Sequence, residues 1–380
     1  MATATSVGGP NVPQTEANPA GGMIPFRRAT TFRTSTLPAT GPVALTAAQQ
    51  NVQTVLDGSG YLYSIDLFVQ ASAGGVNVAA VAYNEDAPYN ALASIVLGDV
   101  NGDLINIDGI SLYIANLYCG YTDVLENTSL DTNIYNLVAG AVATGGDFSF
   151  HLQVPVGLNR RSLLGIVANQ DRAQKYTLRS DIAPSASIYA VAPTFAPNIT
   201  INRTYENYAV PSAQNAVGAS QQQRPNKLGV LHFLTQSVNP TAAAAGLQNH
   251  YLPRLGNTIR TIILVLRSGG SRTTAETTLP TQISFLLGDT PIFTETPSYR
   301  RALMFRRYGF DAPAGVFVYD WITDVVQQAG YEMGDDYMFT NGLVNAQFAI
   351  TYPVGFVAGT LTVITDDLQI PAGVDIYGAD

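Results

Sequence analysis

The chain has 380 residues, of which 46% are hydrophobic and 12% charged, with a net charge of −9 and a single cysteine, Cys119. That length predicts two units, each able to bury its own core. The charged fraction is about half the roughly 25% of ordinary soluble domains. The negative balance excludes a surface that grips nucleic acid throughout, and the lone thiol excludes an internal disulfide framework.

Residues 1–45 are rich in Gly, Pro, Ala and Thr without periodicity, which predicts an extended arm. No apolar core with a positive flank occurs there, so no secretion signal is expected and the chain reads as one made in the cytoplasm. The arm's concentrated charge, Arg27, Arg28 and Arg33, is interleaved with Ile24, Phe26 and Phe32. These arginines are candidates for contact with an inner surface, an anionic membrane or packaged nucleic acid.

From residue 61 the alternation in YLYSIDLFVQAS predicts a half-buried strand. The stretch LGDVNGDLI places Asp99, Asn101 and Asp103 at alternate positions, as a calcium loop does, but the sixth and twelfth positions hold Leu104 and Ile110 instead of Gly and Glu. Asn101-Gly102 therefore reads as the turn of a tight hairpin. The following run ISLYIANLYC reads as an apolar strand with Cys119 as a buried, inert thiol. FSFHLQVPVG, QKYTLRS, SIYAVAPTF and ITINRTYENY continue the β pattern. SAQNAVGASQQQRPNKLG, residues 212–229, predicts a linker or long exposed loop.

The second half repeats the first. Ile65, Leu67 and Val69 match Ile262, Leu264 and Leu266, and SIVLGD matches SFLLGD. FHLQVPVG matches FAITYPVG, and SLLGIVAN matches GTLTVITD, at offsets of 197, 190, 198 and 197 residues in chain order. Four matches in order predict one β-domain in tandem copies, and two copies are too few for a solenoid. One helix is expected, over YRRALMFRRYG, with Ser298 as its cap after Pro297 and Gly309 as its end. Its Arg300, Arg301, Arg306 and Arg307 form either a solvated, ion-paired face or a basic patch.

Catalytic signatures are missing: the sequence holds no Gly-x-Ser-x-Gly elbow, phosphate loop, dinucleotide glycine pattern or His-Glu-x-x-His. His151, His232 and His250 are too few and scattered for a metal site. Asp335-Asp336 and Asp366-Asp367 would point to opposite faces of a strand and read as solvated loop or strand-end residues. Asn127, Asn198 and Asn202 occupy Asn-x-Ser/Thr patterns that read as accidental, and Trp321 reads as a packing anchor. No enzyme activity, cofactor or metal is expected.

The segments ASIVLGDVNGDLINIDGISLYIANL, FSFHLQVPVGLNRRSLLGIVANQDRAQKYTLRSDI and YRRALMFRRYGFDAPAGVFVYDW followed by GLVNAQFAITYPVG give the chain its family resemblance. It resembles the double jelly-roll major capsid proteins of tailless icosahedral double-stranded DNA viruses, best represented by membrane-containing bacteriophages. The resemblance spans most of residues 55–370 and leaves the arm uncovered. It implies an all-β fold of two tandem eight-stranded jelly rolls: an arm over 1–45, a first roll with linker over 46–228, and a second roll with a short helix over 229–380. It further implies a homotrimer tiling a virion shell beside neighbouring trimers, minor capsid and penton proteins, and an internal lipid membrane reached by the arm, without sequence-specific nucleic acid. The alternative reading is a two-domain β-sandwich adhesin or carbohydrate-binding protein with Tyr83 and Tyr89 at a loop tip.

Overall fold

The computed structural model describes residues 23–72, 74–121, 134–140, 145–158, 160, 163–171, 175–272, 278–321 and 337–372. The principal strands of the first half are β1 (Phe32–Ala44), β2 (Gln53–Val55), β3 (Tyr61–Ser72), β4 (Leu92–Asp99), β5 (Gly102–Ile107), β6 (Phe148–Pro155), β7 (Thr177–Ile182) and β8 (Asn198–Tyr208). Those of the second half are β9 (Leu231–Thr241), β10 (Gly246–Tyr251), β11 (Thr258–Ser268), β12 (Gln282–Leu287), β13 (Thr290–Glu295), β14 (Val316–Asp320), β15 (Ala346–Tyr352) and β16 (Gly359–Gln369).

In the first half a sheet ordered β1-β8-β3-β6 faces one ordered β2-β7-β4-β5. In the second, β9-β16-β11-β14 faces β10-β15-β12-β13. Adding eight to each label of the first pair of sheets gives the second pair, so the chain winds the same eight-stranded jelly roll twice. Period-2 patterning positions each core: Ile65, Leu67 and Val69 of β3 turn inward against Ile95 and Leu97 of β4, and Ile262, Leu264 and Leu266 of β11 turn onto Phe285 and Phe348. Each such side chain, fully buried, stabilises the fold by about 1.5–3 kcal/mol before entropy is counted.

The rolls share one sheet. Strand β5 pairs in parallel with β9, Ile105 opposite Leu234 and Asn106 opposite Thr235, so the strands β2-β7-β4-β5 continue into β9-β16-β11. The sheet containing β11 and β16 is therefore covered on both sides. Leu264 and Val363 face the second core, while Ile263, Val265, Ile364 and Leu368 face the first.

Helix α1 (Gly109–Tyr118) joins β5 to β6, and α2 (Pro297–Tyr308) joins β13 to β14, the same place in each roll. From its sequence, ISLYIANLYC reads as a strand, but the segment is helix α1. All ten of its residues are buried, so it shows no polar face and its 3.6-residue period is hidden. Cys119 accordingly caps a helix and is buried. Helix α2 begins two residues earlier than expected: Thr296, not Ser298, is the N-cap and accepts from the Tyr299 amide, while Gly309 ends it at φ 78°.

Two further expectations shift. The β4–β5 hairpin forms, but Asp99 pairs with Gly102, so the turn residues are Val100 and Asn101 rather than Asn101 and Gly102. Asp99 makes this turn itself, accepting from the Asn101 amide at 2.8 Å and from its side chain at 2.9 Å. Residues 32–44, assigned from sequence to an arm, are strand β1, paired with β8 from Phe32–Tyr208 to Ala44–Asn198. As an edge strand with most residues exposed, and with register shifts spanning Pro38 and Pro42, β1 shows no clean alternation.

Of the internal matches, those in β3/β11 and β4/β12 join equivalent strands. The other two do not: FHLQVPVG lies on β6 but FAITYPVG on β15, the equivalent of β7, and GTLTVITD lies on β16, the equivalent of β8. Alternating strands ending in Pro-Val-Gly are too generic to fix register. Asn127 and the Asp335-Asp336 pair lie outside the described residues.

Candidate functional site

A buried cluster of ionisable groups lies between the rolls. Asp366 on β16 accepts from the Tyr121 hydroxyl at 2.6 Å and from Arg260 of β11, and its other oxygen lies 3.0 Å from His232 Nε2 of β9. His232 Nδ1 lies 3.1 Å from the Val156 carbonyl oxygen, and Arg260 also donates to the Cys119 carbonyl at 3.3 Å. Tyr121, Val156 and Cys119 belong to the first half of the chain, and His232, Arg260 and Asp366 to the second. Burial raises the Asp366 pKa, but Arg260, His232 and their hydrogen bonds outweigh it and hold the group down at about 2. With His232, Arg260 and Asp366 each at most 1% exposed, no substrate reaches the cluster. It clamps the rolls together.

Asp366 and Asp367 do point to opposite faces, yet neither is a solvated strand end. Both are buried. Asp367 accepts from the Asn257 side chain, Arg254 lies 3.9 Å away, and one carboxylate oxygen has no hydrogen-bond partner. Burial pushes its pKa up to about 6. Burial likewise raises the Cys119 thiol well above its usual range. Among the described residues no group of three His, Cys, Asp or Glu side chains could hold a metal ion.

The candidate surface arginines divide into two places. Arg27 and Arg28 lie exposed on a helical turn, Phe26–Ala29, pinned by Phe26, which is buried among Tyr61, Tyr63 and Tyr208. Arg33 is exposed at the start of β1, opposite Asn207. On α2, Arg300 pairs with Glu295 at 3.0 Å and stacks over Tyr319, and Arg307 pairs with Asp320 at 2.7 Å. Two of the four arginines are thus neutralised by carboxylates on β13 and β14. Arg306 is exposed and Arg301 half-buried, and neither makes an ion pair among the described residues. Beside them Arg300, Arg306, Arg307 and Asp320 line a cavity of about 290 Å³.

Tyr83 and Tyr89 form no exposed aromatic platform. Tyr89 is buried and stacks on Tyr113 at 3.8 Å, and the Tyr83 hydroxyl donates to the Asp147 carbonyl at 2.8 Å. Between them Asp86 binds Arg267 at 2.9 Å and Arg272 at 3.1 Å, a second tie between the halves. Sequence reasoning missed this tie because Asp86 lies about half the chain away from Arg267 and Arg272. Trp321 packs beside the second core, 5.8 Å from Phe285.

No family model and no curated protein matches the chain. Solved structures do. The chain is similar to the STIV MCP, from Sulfolobus Turreted Icosahedral Virus, at 14% identity and a TM-score of 0.62, covering 90% of this chain and 97% of that one. It is similar to the PBCV-1 virus capsid at 13% identity and a TM-score of 0.62, covering 91% and 95%. Against the major capsid protein P2 from Bacteriophage PM2 it shows 9% identity and a TM-score of 0.53, covering 90% and 99%. At such identities the likeness is one of architecture, and in architecture the chain is a double jelly roll.

Proposed function

We propose that the chain is a major capsid protein, a structural subunit of an icosahedral viral shell that works by self-assembly without chemistry. One observation carries this reading: the same strand order is wound twice and fused side by side through the β5–β9 pairing, across nearly the whole length of solved capsid proteins. A head-to-tail ring of three such chains presents six similar rolls and can sit on a hexagonal lattice. A sequence with 12% charged residues lets large contacts form with few unpaired ions to desolvate.

The assembled chain would reside in the virion after synthesis in the host cytoplasm, bounded by neighbouring trimers and by minor and penton proteins. Division into a first roll ending at residue 228 and a second beginning at 229 is supported by residues 209–230, which contribute no principal strand to either roll. The exposed Arg27, Arg28 and Arg33, with the segment before them, would face an internal membrane, and Arg301 and Arg306 remain as the basic patch. The adhesin reading loses its motivating feature with the burial of Tyr89.

Light scattering of the purified chain, followed by negative-stain imaging, tests the proposal. A trimer that survives dilution and shows a hexagonal outline is expected, and a monomer at tens of micromolar overturns it. Co-sedimentation with anionic liposomes, with and without residues 1–31, tests the membrane contact, where equal binding of both forms rules it out.

A further inference from the structure

A buried charge is costly unless a counter-charge accompanies it. Two arginines are buried among the described residues, Arg203 and Arg260. Arg260 meets Asp366. Arg203 is 1% exposed and meets no carboxylate among those residues, so burial alone acts on its pKa and lowers it. Its Nη1 donates to the Thr54 hydroxyl oxygen at 2.7 Å, while its Nε and Nη2 have no hydrogen-bond partner. Those two nitrogens form one edge of the guanidinium, from which two N–H bonds point in parallel, the arrangement that grips an anion in bidentate fashion.

The fold shows how unusual this placement is. Arg203 lies on β8 between Leu37 of β1 and Leu67 of β3, turned into the first core, and reaches across to Thr54 on β2 of the facing sheet. In the second roll the residue paired with Leu264, the equivalent of Leu67, is the fully buried Val363. An aliphatic side chain therefore serves the architecture at this point, and the first roll puts a cation there instead. The neighbouring hydroxyls add donors. Thr54 accepts from Arg203, which leaves its own O–H to donate in turn. Ser180 lies on the inner face of β7 opposite Ile95, two residues from Leu178, the pairing partner of Thr54; it is 0% exposed and its hydroxyl has no partner. Thr54 is half-buried on the edge strand β2, and β1 shifts register between Leu37 and Thr40, so the group sits just behind the rim of the sandwich.

We infer that the Nε and Nη2 edge of Arg203 binds a small monovalent anion inside the first roll, with the hydroxyls of Thr54 and Ser180 as further donors. One negative charge matches one guanidinium, and Leu37 and Leu67 on either side give a larger polar ligand nothing to bond. Water would satisfy the N–H groups but leave the charge uncompensated. The site belongs to the first roll alone and holds whether or not the chain assembles into a shell.

Urea denaturation of the full chain tests the site, with sodium chloride or sodium nitrate replacing sodium gluconate at constant ionic strength from about 1 mM to about 100 mM. Above the dissociation constant, each tenfold rise in chloride or nitrate should raise the folded-to-unfolded ratio of the wild type roughly tenfold. Arg203→Val and Arg203→Met, checked for folding by circular dichroism, should show no such response. A wild type indifferent to both anions overturns the site, and so does a response of equal slope in the variants, the mark of an adventitious ion only. Should neither variant fold, anomalous diffraction from bromide-soaked wild-type crystals decides: a peak beside Nε and Nη2 of Arg203 is expected, and its absence overturns the site.

Discussion

Asp366 and Asp367 are neighbours on one strand with opposite electrostatics, and each sets a pH response. Asp367, pushed up to about 6, has a folded pKa above the unfolded value of roughly 3.9. Its contribution to stability is therefore full below about pH 4 and is lost as pH rises through about 6, a swing of at most about 3 kcal/mol. Asp367→Asn, which keeps an oxygen for Asn257, is expected to be more stable than wild type at neutral pH and equal to it near pH 4, measured by urea denaturation at both. Asp366, held at about 2 by Arg260 and His232, behaves in the reverse sense: its contribution stands above about pH 4 and disappears as pH falls through 2. Asp366→Asn strands Arg260 in the interior and should cost about 3–5 kcal/mol at neutral pH in the same measurement. The sequence placed these two side chains on opposite faces of a strand. It could not show that both faces of that strand are covered.

At the scale of elements, helix capping separates what was legible from what was not. Helix α2 announced itself through Pro297, Gly309 and charged residues on a half-exposed surface. Helix α1 carries as clear a cap, with Asp108 accepting from the Ser111 amide at 2.7 Å, but its apolar circumference masked the signal. Asp108 serves twice, capping α1 with one oxygen and binding Gln236 of the other roll with the second. Asp108→Ala should lower stability by about 1–2 kcal/mol, while Asp108→Asn should retain most of it, compared by chemical denaturation. Strand β1 was hidden for the opposite reason, since an edge strand built from Thr, Ser, Ala and Pro has little apolar patterning to read. The candidate arginines were legible by type, but the neutralisation of Arg300 and Arg307 depends on Glu295 and Asp320, which only the folded β13 and β14 bring alongside.

For the whole molecule, duplication was visible where core patterning is strongest, in β3/β11 and β4/β12, and misaligned where indels between strands changed the spacing. The shared sheet was not visible, because a parallel pairing of two residues between β5 and β9 leaves no pattern in sequence. That sheet has a consequence for how the protein tolerates change. In β3, every second residue contributes to one core and the alternate positions tolerate polar atoms, as Asp66 shows. In β11 and β16, consecutive residues feed different cores. A saturation mutagenesis scan scored by soluble expression should thus trace a two-residue ripple of permissiveness along β3 and a flat, intolerant profile from Ile262 to Leu266, where drift has almost no neutral position to occupy.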